Sequence, residues 1–144
     1  MHDPMKQRML DTLRQMLGQF RGNIVEIMSF ASINHAIASH EITQIITEFI
    51  ANVSLFYLTN QAPDRNIEYL YVMDSILKHV QGNYVSAFGA NIGYILSLMF
   101  RKAISTPDPL SRTEQLQKLL KIFKTWEVLC LFPPQVMGQI AESN

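Results

Sequence analysis

The chain has a single cysteine in 144 residues, Cys130. No intramolecular disulfide can form, which points to a reducing compartment. Because Cys130 lies in the apolar run Val128-Leu129-Cys130-Leu131-Phe132, it is expected to be a small, inert core residue. A long hydrophobic run is also missing: the longest, Ile92 to Phe100, is broken by Gly93 and Ser97 and falls far short of the ~20 residues that span a bilayer. The N-terminus, Met1-His2-Asp3-Pro4-Met5-Lys6, lacks the charged-then-apolar pattern of a secretory signal, so a soluble intracellular protein is expected. Neither sign of charge is in excess, since 12 Lys and Arg balance 12 Asp and Glu. A generic nucleic-acid binder would need a broad cationic surplus, so no sequence-specific nucleic-acid binding is expected.

The few glycines are dispersed and follow no strand, which excludes Walker and Rossmann phosphate loops. His35 and His40 stand five apart, on different helix faces and without a Cys partner, so no metal site is expected. The acids are scattered beside basic or polar residues and form no acid–base pair; no enzyme and no cofactor are expected. The sequon Asn52-Val53-Ser54 sits inside a helical pattern and carries no weight.

What is present is helical spacing. Met9, Leu10, Leu13, Met16 and Leu17 recur at three- and four-residue steps, and Gly18 ends that helix. The connector Phe20-Arg21-Gly22-Asn23 offers Asn23 as an N-cap for a second helix through Ile24, Ile27, Met28, Ala31 and Ile37. A third runs from about Ser39 to Phe56, and Asn60 to Arg65 is a turn around Pro63. A fourth helix follows and stops at Gln81-Gly82-Asn83; Tyr84 to Ala103 then resumes the apolar pattern. Ser111-Arg112-Thr113-Glu114 reads as a capping box opening a helix whose buried stripe is Leu116, Leu119, Leu120, Phe123 and Trp126. Phe132-Pro133-Pro134 is a turn, and Gln135 to Glu142 a short last helix with Val136, Met137 and Ile140 inward. Seven or eight helices with short connections imply one all-α domain over residues 1–144, either a bundle or a right-handed stack of antiparallel pairs. Periodicity does not choose between these.

The fourth helix is the candidate working surface. Tyr71, Asp74 and Lys78 fall at i, i+3 and i+7, which lines a phenol, a carboxylate and an ammonium along one edge. Taken alone, Asp74 is read as a solvated carboxylate paired with Lys78 at i+4, an arrangement contributing ~0.2–0.5 kcal/mol.

Beyond spacing, Tyr71-Val72-Met73-Asp74-Ser75-Ile76-Leu77-Lys78 resembles the Tyr-x-x-Asp-Ser-Ile-x-Lys signature of the CTD-interacting domain, or CID, family. Gly82-Asn83-Tyr84 followed by Phe88 resembles the family's stretch of Gly, Tyr and a following Phe. Lys118 to Trp126 resembles its helix of a basic residue, apolar positions, Phe and Trp. The likeness runs in order from about Pro63 to Ile140 and is greatest to CIDs of the cleavage and polyadenylation machinery. It implies a right-handed superhelix of about eight helices that binds the phosphorylated C-terminal heptad tail of RNA polymerase II. A nuclear protein coupling transcription to mRNA 3′-end processing or termination is thereby implied, with other processing factors as candidate partners and no membrane.

The resemblance assigns peptide binding to Asp74, Tyr71 and Ile122, with Ile24, Lys78 and His79 beside them, and phosphate binding to Lys118. Arg21 and Asn23, ahead of a helix N-terminus, are further phosphate candidates. His79 departs from the family, many of whose members in this class carry Asn there, and brings in a group that titrates near neutrality. The alternative is an adaptor of the related VHS/ENTH class that binds sorting peptides or membranes; no basic amphipathic first helix supports it.

Overall fold

The computed structural model describes residues 3–51 and 65–136. The sequon at Asn52, the end of the third helix toward Phe56, the turn Asn60 to Asp64 and the final helix beyond residue 136 lie outside the described residues. Among those described, all regular structure is helical and no strand occurs. No helix among them is long and apolar enough to cross a membrane. The chain packs as two compact units, Met1–Ala87 and Phe88–Asn144.

In the first unit, α1 (Pro4–Gly18) is opened by Asp3, whose carboxylate accepts from the N–H groups of Met5 and Lys6 at 3.0 and 3.2 Å. Pro4 at the first helical position completes that start. Helix α2 is Ile24–Ile33 and α3 is His35–Ala51. The spacing that carries the second helix on to Ile37 is overridden at Asn34, whose side-chain amide donates to the Phe30 carbonyl at 2.9 Å. Such local bonding competes with helix continuation. The backbone leaves helical geometry again at Ala38, and Ile37, expected inward, is 62% exposed.

Helix α4 (Arg65–His79) packs on α2 and α3 and buries Tyr69, Leu70, Val72, Met73, Ile76 and Leu77. Two buried tyrosines tie helices together by donating to carbonyls in final turns. Tyr69 Oη reaches Leu17 O at 2.8 Å, and Tyr84 Oη reaches Ala31 O at 2.7 Å. Burial pushes the Tyr84 phenol well above its ordinary range, so it remains a donor. Tyr84→Phe leaves that carbonyl short of a partner and is expected to cost about 1–2 kcal/mol. A lowered urea midpoint at unchanged slope is the measurement that checks this.

Helix α4 ends as predicted, through Gln81 and Gly82 at φ 59° and 56°. Helix α5 (Asn83–Gly89) starts at once, its first N–H donating to His35 Nε2 at 2.9 Å.

The second unit holds α6 (Ile92–Ile104) packed on α7 (Pro109–Val128). The apolar pattern from Tyr84 to Ala103 is thus two helices, parted at Ala90-Asn91. The expected capping box at Ser111 is displaced: Asp108 is the N-cap, its carboxylate accepting from Ser111 N–H at 3.0 Å with Pro109 at the first helical position. An Asp-Pro pair supplies both the capping oxygen and the preset φ one turn earlier.

On α7 the fully buried stripe is Leu119, Ile122 and Trp126; Leu120 is 55% exposed, and Leu116 and Phe123 are half-buried. Adjacent residues lie about 100° apart around a helix, so Leu119 and Leu120 do not share its buried face. Trp126 meets Phe132 edge to face, ring centroids 5.6 Å apart. Cys130 is exposed, against expectation. It sits at φ 51°, where the chain leaves α7 in a left-handed turn, and apolar neighbours in sequence did not bring it inside.

Candidate functional site

The site begins with the edge of α4. Tyr71 is half-buried and Asp74 is buried, while Lys78 Nζ stands 2.9 Å from an Asp74 carboxylate oxygen. Asp74 is therefore no solvated surface carboxylate. The ammonium of Lys78 offsets part of the cost of burying that carboxylate. His79 is exposed at the end of the helix, where a cation is favoured by the carbonyl pole.

Between α1 and α2 the loop Arg21-Gly22-Asn23 turns through Gly22 at φ 79°, a left-handed value that glycine adopts without strain. Asn23 occupies the cap position of α2 but makes no capping bond; its side-chain oxygen accepts from Arg21 N–H at 3.2 Å. The carboxamide thus occupies one of the backbone donors that an anion would use. Only the Arg21 side chain remains as a cation here, with no hydrogen bond or ion pair to any described residue.

Loop and helix meet in a concavity of about 340 Å³ lined by Phe20, Arg21, Gly22, Ile24, Glu68 and Tyr71. Three expected residues, Arg21, Ile24 and Tyr71, therefore share one wall system. Its floor is firm: Phe20 is buried and stacks edge to face on Tyr69 at 6.0 Å, and Tyr69 in turn meets Phe49 at 5.2 Å. An aromatic, half-buried surface edged by few polar groups suits a side chain with an apolar face and a polar tip. On the other side of the loop a second concavity of about 430 Å³ is lined by, among others, Gln15, Gln19, Arg21, Asn23 and Glu26.

Lys118 and Ile122 belong to α7 in the second unit. Lys118 is exposed, as are Lys121 and Lys124, whereas Ile122 is only 6% exposed and is mainly core. Glu68 and Phe20 were not among the residues expected from sequence. Glu68 could have been found, since it precedes Tyr71 by three residues and so shares its helix face. Phe20 could not, because only the fold brings it to α4. Among the described residues no three His, Cys, Asp or Glu side chains are grouped to hold a metal.

Among curated proteins no relative matches. Among solved structures, the crystal structure of the RPR of Pcf11 is similar with a TM-score of 0.69 and 21% identity, covering 92% of this chain and 95% of that one. At that identity the likeness establishes the fold, which is all-helical as the sequence predicts. A sequence model of the CID domain matches residues 8–140, a span that takes in the Tyr71 to Lys78 helix, the α1–α2 loop and all of α7. With almost the whole chain matched, and in the fold that the solved structure shares, the chain belongs to the CID family.

Proposed function

We propose that the chain is a non-enzymatic peptide-binding module that reads the phosphorylated heptad tail of RNA polymerase II, acting in the nucleus to couple transcription to mRNA 3′-end processing or termination. The observation that carries this reading is the α4 edge. The family's aspartate is buried and paired with Lys78, and Tyr71 stands one turn before it on the rim of an aromatic concavity. Asp74 accepts a hydrogen bond from the bound peptide; Tyr71 and Ile24 hold its apolar groups, and Ile122 contributes from α7. Lys78 is paired with Asp74, and His79 follows it at the helix end. Phosphate is met by Lys118; beside Arg21, the other cation expected to meet it, the Glu68 carboxylate in the same wall opposes an anion.

Fluorescence anisotropy with a two-repeat heptad peptide tests this. Micromolar binding is expected, about 6–8 kcal/mol, the range of transient peptide contacts. Absence of binding to unmodified and to every singly phosphorylated form would sink the proposal. Because Lys118 is exposed, Lys118→Ala leaves the fold intact. It is expected to remove the preference for the phosphorylated peptide, about tenfold or less, while leaving the unmodified form as it was. Equal losses for both peptides would remove Lys118 from that role.

A further inference from the structure

The concavity between the α1–α2 loop and α4 has two charged groups in its wall, Arg21 and Glu68. We propose that Glu68 is a specificity-determining residue whose carboxylate selects against a phosphate seated beside Arg21, so that this concavity takes a neutral stretch of the peptide. The inference rests on the peptide-binding reading above.

Size makes the two charges inseparable. A sphere of about 340 Å³ is only about 9 Å across, so an anion seated in it lies within or near the ~8 Å screening length of both side chains. A phosphate carries roughly −1.5 to −2 at neutral pH, and it meets one positive and one negative group whose effects oppose each other. The Arg21 guanidinium and the Glu68 carboxylate make no hydrogen bond or ion pair with a described residue. Glu68 also sits in the first turn of α4, where the backbone N–H pole favours negative charge. It thus places a negative charge at the end of α4 whose backbone would otherwise favour an anion. The rest of the wall, Phe20, Ile24 and Tyr71, is aromatic or aliphatic. Across the loop the same opposition recurs, with Arg21 and Glu26 lining the second concavity.

Labelled two-repeat heptad peptides, unmodified and phosphorylated at one position at a time, serve as probes of the wild type, Glu68→Gln, and Glu68→Gln combined with Arg21→Gln. Because Glu68 is exposed, both variants are expected to melt as the wild type does. Glu68→Gln should raise affinity about tenfold for one phosphorylated isomer and less than about twofold for the unmodified peptide. Adding Arg21→Gln should abolish that gain. If wild type binds peptide but Glu68→Gln changes all forms alike, or none, this inference fails and the peptide-binding reading stands. If wild type binds no form, both fail.

Discussion

Gly82→Ala is expected to lower stability by about 3 kcal/mol. Two independent costs add. Gly82 lies at φ 56°, where an L-residue in left-handed geometry loses roughly 1–2 kcal/mol. A Cβ at this position would also run into the His35 imidazole, closer than atoms can approach. The ring cannot swing aside freely, because its Nε2 accepts the Asn83 N–H at 2.9 Å and its face meets Tyr84 edge-on at 5.5 Å. Moving it strands the first N–H of α5, a loss on the order of 1 kcal/mol. Urea denaturation should show a lower midpoint at unchanged slope. On a His35→Ala background, the same substitution should cost only the backbone part, about half as much. An undiminished cost there would show that the imidazole is not the obstacle.

Asp74→Ala is expected to weaken binding of every heptad peptide roughly 10- to 100-fold, the value of one hydrogen bond to a charged acceptor at 1.5–3 kcal/mol. The loss should be alike for unmodified and phosphorylated forms, since the contact is to a part of the tail common to all. Stability should fall much less, by about 1 kcal/mol, because Lys78 is partly exposed and can turn its ammonium to water. Anisotropy titrations beside thermal melts separate the two readouts. A loss confined to one phosphorylated form would move Asp74 from general recognition to phosphate discrimination.

Much of the helical framework was legible in the chain because its signals are local. Leu10, Leu13 and Leu17 repeat at the helical period and are all buried in α1. The stop at Gln81-Gly82 is read from Gly82, which adopts left-handed backbone without strain, and Gln81 takes the same geometry beside it. The errors arose where two local signals competed. Asn34 broke an apolar repeat by bonding back to Phe30, and Asp108-Pro109 started α7 ahead of the Ser111 capping box. Burial was the weakest reading. Leu120 and Cys130 are apolar in the sequence yet exposed, Leu120 because the face a helix buries depends on what packs against it and Cys130 because the chain leaves α7 there in a left-handed turn.

The site divides in the same way. The row of Tyr71, Asp74 and Lys78 is a matter of helix geometry and could be placed from spacing, as could the motif that names the family. That Asp74 would be buried and not solvated could not, because its burial comes from the packing of α4 on α2 and α3. The same holds for the company Tyr71 keeps: Phe20 and Arg21 are brought to it by the fold across some 50 residues. By itself, then, the sequence determined the helices, the family and the chemistry along one edge of α4, all of which depend on residues within a few turns of each other. Only the tertiary structure decided that Arg21 and Glu68 face one small concavity, since charge opposition depends on distance in space.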